Sequence, residues 1–328
     1  MKKIIKSLKN IYYEWNKWGF KFAVYKTLSK FPEKGCFFGF IHKKFMLKRH
    51  NYIINFIESK CVDIFEKYNN IEYCNNDSSN ISKEVPIWVC WFQGEENAPL
   101  IVKKCIDSIR KNSNGHPVNL ITYDNYKNYV QLPKHIIEKF ESGKIILPSF
   151  SDILRTCLLR DYGGIWLDAT IYLTKALTED IFDMDLFSIK DKLDKNNYKY
   201  ISNCQWAIFA FASKKHSILC NMVMDIFDRY WKEEDNSIDY FVTDYIVACC
   251  IKNNKTIKNM FDNIPINNTH IYELKSILNM EYSEEDWRFL LSSGTYIFKL
   301  SWKDEFYEYT ENNKPTFYKA LIDNFELK

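Results

Sequence analysis

The chain has 328 residues, of which 46% are hydrophobic, 17% aromatic and 27% charged, and its formal net charge is +3. This composition excludes a disordered chain, and only nine glycines and eight prolines exclude collagen-like or low-complexity sequence. We find no run of 18 apolar residues that would predict a transmembrane helix, and the small net charge gives no reason to expect nucleic acid as a partner.

The charge is distributed unevenly along the chain. Residues 1–50 carry 13 Lys and Arg against two acids, a balance of +11 that leaves −8 for residues 51–328. Residues 2–30 predict one amphipathic helix, because apolar residues recur at steps of three and four. A basic helix with aromatic residues on its apolar face is typical of proteins that bind an anionic membrane surface. We therefore expect residues 1–30 to bind such a surface. Packing of this face on the body or on a second subunit is the alternative. The apolar residues are Ile4, Leu8, Ile11, Trp15, Trp18, Phe22 and Tyr25.

A second helical stretch, 43–68, is followed by the Asn- and Ser-rich segment 69–83, which predicts a linker. We therefore divide the chain into a basic helical arm with its linker, 1–83, and a catalytic domain, 84–328. The ten cysteines form no CxxC pair and have no zinc spacing, so we expect reduced, buried thiols. Since the N-terminus also lacks the features of a secretory signal, we expect a cytoplasmic protein, peripheral on the inner face of the cell membrane.

From residue 85 onward, apolar strands alternate with helices, which predicts an α/β fold around a mainly parallel sheet. The tail, 254–328, is mixed and carries no prediction of elements. The predicted strands are 85–92, 118–123, 165–167, 187–189 and 206–212, and the predicted helices are 99–112, 134–142, 151–162, 216–231 and 240–251.

The segment with the clearest chemistry is 151–174, SDILRTCLLRDYGGIWLDATIYLT. Ser151 predicts a helix N-cap, and Asp152 and Arg155 at i and i+3 project from one face of the first helical turn. After the Gly pair, a short strand places Asp168 at its carboxyl end, where α/β sheets bind ligands. Two acids and an arginine there predict a site for a charged, hydroxylated ligand with a divalent metal.

This segment resembles the signature of the capsular polysaccharide synthesis protein family, S-D-x-x-R followed by G-G-I-W-x-D-A-T. The family comprises bacterial glycosyltransferases related to glycosyltransferase family 32, in a clan of sugar transferases with a DXD motif. The resemblance covers roughly residues 84–304, with 85–112 similar to the opening strand and helix. It implies a GT-A-like nucleotide-sugar-binding fold. The implied activity is transfer of a hexose, with retention, from a nucleotide sugar (UDP-sugars first) to a growing capsular or other cell-surface glycan that is expected to be lipid-linked.

The resemblance also implies roles for individual residues. Asp152 and Arg155 would hold the hydroxyls of the donor sugar, and together with Asp168 they are the expected catalytic residues. Asp168 would bind Mn²⁺ or Mg²⁺, but Thr170 stands where the second acid of the motif belongs and supplies no charge. The metal requirement is therefore open. The remaining residues expected to bind the donor are Trp91, Gln93, Thr170, Lys299, Ser301, Trp302 and Lys303.

The sequence is less informative on the acceptor side. If the reaction inverted the anomeric centre, Asp239 or Asp244 would have to act as the base. A helix N-terminus explains Asp239 equally well. The replacement of the second acid by Thr170 favours an alternative function, a non-catalytic glycan- or nucleotide-binding subunit of a polysaccharide assembly complex. The acceptor candidates are Asn203, Gln205, Asp239 and Asp244.

Overall fold

The central sheet contains five short strands in the order β2-β1-β3-β6-β5. The computed structural model describes residues 2–32, 36–71, 84–194 and 197–323. In this sheet β1 pairs in parallel with β2 and β3, whereas β6 is antiparallel to β3 and β5. All strands except β6 therefore run in one direction, and the prediction of a mainly parallel sheet is confirmed. The strands of the described residues are β1 (Ile87–Cys90), β2 (Val118–Ile121), β3 (Gly164–Leu167), β4 (Ile171–Leu173), β5 (Leu186–Ser188), β6 (Ala210–Ser213) and β7 (Ile297–Lys299).

Helices cover both faces of this sheet. Because side chains alternate along a strand, Trp88 and Trp166 enter the hydrophobic core on one face, whereas Ile87 and Ile165 enter the core on the other. Burial on both faces explains why these strands are uniformly apolar. The helices of the described residues are α1 (Lys2–Trp18), α2 (Phe20–Leu28), α3 (Cys36–Lys60), α4 (Val62–Asn69), α5 (Leu100–Lys111), α6 (Lys134–Glu141), α7 (Leu147–Tyr162), α8 (Glu179–Asp183), α9 (Ile218–Glu233), α10 (Val242–Asn253), α11 (Lys255–Asp262), α12 (Glu273–Ile277), α13 (Glu284–Ser292) and α14 (Phe317–Ile322).

Several predicted boundaries are wrong for local reasons. The helix predicted over 2–30 breaks at Gly19, whose φ of 88° is accessible to glycine but not to a helical residue. The helix predicted over 43–68 begins earlier and is interrupted at Cys61. Helix α7 begins at Leu147, with Pro148 in the first turn where proline is favoured, so Ser151 lies inside the helix and is not its N-cap.

Other differences concern the strands and the linker. Strand β6 begins only at Ala210, and residues 206–209 form the loop before it. The pair β4 and β7 was not predicted. Asn69 ends α4, and most of the predicted linker, 72–83, lies outside the described residues.

The basic arm is packed onto the rest of the chain through its second half. Trp18 and Phe22 are buried with Ile53 and Ile57 of α3, in the same hydrophobic cluster as residues of α7, α9 and α10. Leu8 and Trp15, by contrast, are 61% and 50% exposed. The apolar face of the predicted amphipathic helix is thus divided between the core and the surface. Among the described helices, none combines the length and apolarity needed to cross a bilayer.

The turn between α7 and β3 depends on Gly164. Its φ is +98°, and a Cβ on it would lie 2.1 Å from the backbone oxygen of Pro86. We expect Gly164→Ala to lower the free energy of unfolding by at least about 2 kcal/mol, because it combines a strained φ with a backbone clash. Urea denaturation measures this change. Gly143→Ala is the matched control, since its φ is also positive but no atom lies within 4 Å of the added Cβ. Equal losses for the two variants would show that the clash with Pro86 has no effect.

Candidate functional site

A cavity of about 740 Å³ lies at the carboxyl ends of β1 and β3. These neighbouring strands are parallel, so Trp91 after β1 and Asp168 after β3 reach the same edge of the sheet. Helix α7 adds Asp152 and Arg155 to the wall, and the loop at 206–209 closes another side. The topology therefore brings residues distant in sequence into one concave site.

Arg155 joins the two acids of the motif. Its Nη1 donates to Asp152 Oδ1 at 2.6 Å, and its Nη2 donates to Asp168 Oδ1 at 3.2 Å. The guanidinium lies 4.8 Å from the centre of the Trp166 ring, a cation–π contact. The side chain of Arg155 is buried, and its Nε has no partner among the described residues. One donor of this arginine is thus buried without an acceptor among the described residues.

Asp168 accepts hydrogen bonds on both carboxylate oxygens. Trp166 Nε1 donates to Oδ1 at 2.9 Å, and Lys299 Nζ donates to Oδ2 at 2.6 Å. Lys299 Nζ also donates to Thr170 Oγ1 at 2.8 Å. The pairing of β4 with β7 places Lys299 there, because Lys299 lies directly opposite Ile171 in the ladder. The motif acid and the distant Lys299 therefore form one cluster.

Burial and neighbouring charges shift the pKa values of Asp152, Asp168 and Asp244, and the direction of the shift differs among them. Burial raises the pKa of Asp152, and the neighbouring Arg155 only partly offsets it. Burial also acts on Asp168, but the charges of Lys299 and Arg155 outweigh it and lower its pKa. Burial, followed by the charge of Asp152, raises the pKa of Asp244 to about 7. The cavity thus contains a firmly ionised Asp168 and a carboxyl group in Asp244 that titrates near neutral pH.

Two tryptophans line the end of the cavity beyond this cluster. Trp91 and Trp302 meet edge to face, with ring centroids 5.7 Å apart, and the buried Trp91 Nε1 has no partner among the described residues. Gln93 and Lys303 also line the cavity. Ser301 does not line it; its hydroxyl donates to Asp304 at 3.1 Å. Of the residues expected to bind the donor, the structure thus brings together Trp91, Gln93, Asp152, Arg155, Asp168, Thr170, Lys299, Trp302 and Lys303.

The four acceptor candidates separate in the structure. Asp244 lines the cavity and accepts from Trp206 Nε1 at 2.9 Å, whereas Asn203, Gln205 and Asp239 are not part of its lining. Gln205 Nε2 donates to the backbone oxygen of Asp191 at 3.0 Å.

Asp239 pairs with a residue of the arm and does not line the cavity. Its buried carboxylate forms an ion pair with Arg49 of α3 and accepts from the backbone N–H of Phe241 at 3.0 Å. Tyr240 and Phe241, which follow it, do line the cavity. Asp239 therefore anchors the segment that begins with Tyr240 and Phe241, from a position outside the cavity.

Several residues of the site were not predicted from the sequence. Trp166 could have been found, because it stands two residues before Asp168 on a strand and must face the same side. Thr243, which donates to Asp152 Oδ2 at 2.7 Å, and Trp206 carry no such signal. Thr243 reaches Asp152, and Trp206 reaches Asp244, from segments whose position only the folded chain defines.

Eight cysteines of the described part of the chain are free thiols; six of them are buried, as expected, whereas Cys90 and Cys204 are partly exposed. Within the described ranges, no group of three His, Cys, Asp or Glu side chains is arranged to hold a metal ion. The fit of a metal to Asp168 thus rests on Asp168 and Thr170 alone.

Comparison with known families gives one match over most of the chain. The family model for the capsular polysaccharide synthesis protein matches residues 34–321, a span that includes the whole cavity and begins near the start of α3. No curated protein matches the chain. The family description indicates a role in capsule biosynthesis. The chain therefore belongs to the capsular polysaccharide synthesis protein family.

Proposed function

We propose that the protein is a glycosyltransferase that moves a hexose from a nucleotide sugar, with UDP-sugars the first candidates, to a growing capsular or other cell-surface glycan. The observation that carries the proposal is the joint placement of Asp152, Arg155, Asp168 and Lys299 with Trp91 in one cavity at the strand ends. The fold that we propose is GT-A-like, and the proposed relationship is to glycosyltransferase family 32.

The chemistry of the cavity suits such a donor. Its volume of about 740 Å³ falls within the range of small-molecule sites. Trp91 and Trp302 offer aromatic surfaces for a base, while Arg155, Lys299 and Lys303 offer positive charge for a diphosphate. Asp152 can accept hydrogen bonds from sugar hydroxyls. Arg155 and Lys299 would stabilise the negative charge that develops on the departing nucleoside diphosphate.

We further propose that the transfer retains the anomeric configuration. In that case the departing phosphate can accept the proton of the incoming hydroxyl, and no side chain has to act as base. An inverting reaction would need a carboxylate base beside the acceptor. Asp244 is the residue placed for it, because Asp239 is paired with Arg49 outside the cavity. In that reaction Asp244 would take the proton from the acceptor hydroxyl.

Turnover of nucleotide sugars tests the proposal directly. The purified chain is incubated with a panel of UDP- and GDP-sugars, and free nucleoside diphosphate is measured by chromatography. We expect one donor to be hydrolysed slowly without acceptor, and this donor should also raise the melting temperature. Proton NMR of the sugar first released should show the anomer of the donor if the reaction retains. No turnover and no binding with any donor would refute the proposed function.

A second candidate is a non-catalytic subunit that binds a glycan or nucleotide. Thr170 in place of a second acid favours it, because the motif then supplies a single carboxylate. The two functions give different results in the same experiment. One result would support the binding subunit: a donor that raises the melting temperature but is not turned over, even when fractions containing acceptor glycan are added.

We propose that the arm holds the enzyme at an anionic membrane, where a lipid-linked acceptor glycan would be found. Leu8, Tyr12 and Trp15 lie at i, i+4 and i+7 of α1 and are all exposed. Phe37 and Phe40 of α3 are exposed as well. These apolar side chains stand within the segment that carries the balance of +11, as expected of a surface that lies on anionic lipid.

The double variant Leu8→Ser/Trp15→Ser should bind vesicles containing anionic lipid about 10-fold more weakly, because it removes apolar area from the membrane-facing side. Vesicle sedimentation measures the bound fraction. The melting temperature should be unchanged, since both side chains are exposed. Phe289→Ser is the matched control, because this residue is 76% exposed but lies on α13, outside the arm. Equal binding by the double variant and the wild type would contradict the proposal.

A further inference from the structure

We propose that the ammonium group of Lys299 takes the place of a divalent metal ion at Asp168, so that the donor diphosphate binds without metal. This inference rests on the proposed function, since it assigns the charge that holds the donor. It departs from the expectation that Mn²⁺ or Mg²⁺ binds at Asp168.

The backbone fixes the position of Lys299. Its N–H donates to the Ile271 oxygen at 2.8 Å, and the next N–H, of Leu300, donates to the Thr170 oxygen at 2.8 Å. Lys299 is therefore held in register beside the motif by main-chain bonds on both sides. Its side chain crosses the face of Phe209, with Nζ 4.9 Å from the ring centre. The ammonium is thus placed by the fold and is not a surface charge that happens to lie nearby.

The ammonium group occupies the space between the two motif side chains. Its Nζ is 2.6 Å from Asp168 Oδ2 and 2.8 Å from Thr170 Oγ1, both hydrogen-bond distances. A lysine ammonium has three donors. Among the described residues these two oxygens account for two of them, which leaves the third N–H for a phosphate oxygen of a ligand in the cavity.

The same oxygens form a poor site for a divalent ion. Mg²⁺ and Mn²⁺ favour several oxygen ligands, with carboxylates prominent among them. Here Asp168 supplies the single carboxylate, and it already accepts from Arg155, Trp166 and Lys299. Thr170 contributes a neutral hydroxyl. A metal ion could bind only by displacing the ammonium, and it would then be repelled by the positive charges of Lys299 and Arg155.

Isothermal titration of the full-length wild type with UDP and GDP tests the inference without relying on turnover. We expect the preferred nucleotide to bind in excess EDTA with an affinity within about threefold of that in Mn²⁺. Binding that requires Mn²⁺ would overturn the inference while leaving the proposed function standing. Absence of nucleotide binding under both conditions would overturn both. The experiment needs no variant and so does not depend on a mutant that folds.

Lys299→Met should weaken nucleotide binding in EDTA by about 10- to 100-fold, the loss expected for one charge-assisted hydrogen bond to phosphate. Lys275→Met is the matched control, because Lys275 is also paired with an aspartate but does not line the cavity. Circular dichroism checks that both variants are folded. Equal affinities for wild type and Lys299→Met would overturn the inference.

Electron paramagnetic resonance of Mn²⁺ alone gives a second readout. We expect wild type and Asp168→Asn to leave the same fraction of the ion free. The double variant Thr170→Asp/Lys299→Met should bind more of it, since it adds a carboxylate and removes the ammonium. Binding by the wild type that Asp168→Asn abolishes would show a metal site at Asp168 and overturn the inference.

Discussion

Replacing Arg155 with lysine should lower kcat/KM for the donor by about 100- to 1,000-fold, as expected when a preorganised charge-stabilising donor is lost. Lysine keeps the positive charge but cannot donate to Asp152 and Asp168 at once, as the guanidinium does at 2.6 and 3.2 Å. The measurement is the initial rate of nucleoside diphosphate release over a range of donor concentrations.

Arg160→Lys is the matched control for this experiment. Arg160 lies on the same helix, α7, and pairs with the neighbouring Asp161 at 2.6 Å, but it does not line the cavity. We expect its kinetics to stay within about threefold of the wild type, because surface ion pairs contribute little. If the two lysine variants had the same kcat/KM, the bridging geometry of Arg155 would have no part in the reaction.

Asp244→Asn should stabilise the fold, and more so at pH 8 than at pH 5. The folded-state pKa of Asp244 is raised to about 7 from 3.8, with burial as the main cause. Between these values the folded protein binds a proton that the unfolded chain has released, so stability falls as pH rises. Asparagine cannot ionise and can still accept from Trp206. We expect a gain on the order of 2–4 kcal/mol at pH 8 and a smaller gain at pH 5.

Urea denaturation of wild type and variant from pH 5 to pH 8 measures this difference. The exposed Asp124→Asn serves as control and should show no gain that grows with pH. A constant difference between Asp244→Asn and wild type across the range would contradict the raised pKa.

The same variant also tests the stereochemistry. Turnover that persists agrees with retention, whereas loss of turnover with intact donor binding would assign Asp244 as the base of an inverting reaction.

The fold could be predicted wherever a local pattern determines the structure. Strand β1 and helix α5 were found within a few residues because apolar runs and helical periodicity identify them. The break at Gly19 could not be inferred, since a single glycine is tolerated within many helices. The β4–β7 pair could not be predicted, because three-residue strands are too short to show a periodicity and these two are far apart in sequence.

The residues of the site also fall into two groups: those that a local motif identifies, and those that only the fold brings together. Asp152, Arg155 and Asp168 were found because one contiguous motif contains them. Lys299 was named on resemblance alone, and its contact with Asp168 depends on a ladder that joins residues 171 and 299. Asp239 and Asp244 could not be told apart by sequence. In the structure Arg49, from the arm, pairs with Asp239, whereas Asp244 lines the cavity and accepts from Trp206.

The pairing of Arg49 with Asp239 limits how this protein can be recombined with its relatives. A chimera that exchanges residues 1–83 would have to supply an arginine opposite Asp239 as well as side chains that fit around Trp18 and Phe22. Without that arginine, the carboxylate of Asp239 would be buried without a counter-charge, at a cost of about 3–5 kcal/mol. The arm therefore cannot be exchanged as an independent module, and compatible arms have to be selected together with the residues of α9 and α10 that they touch.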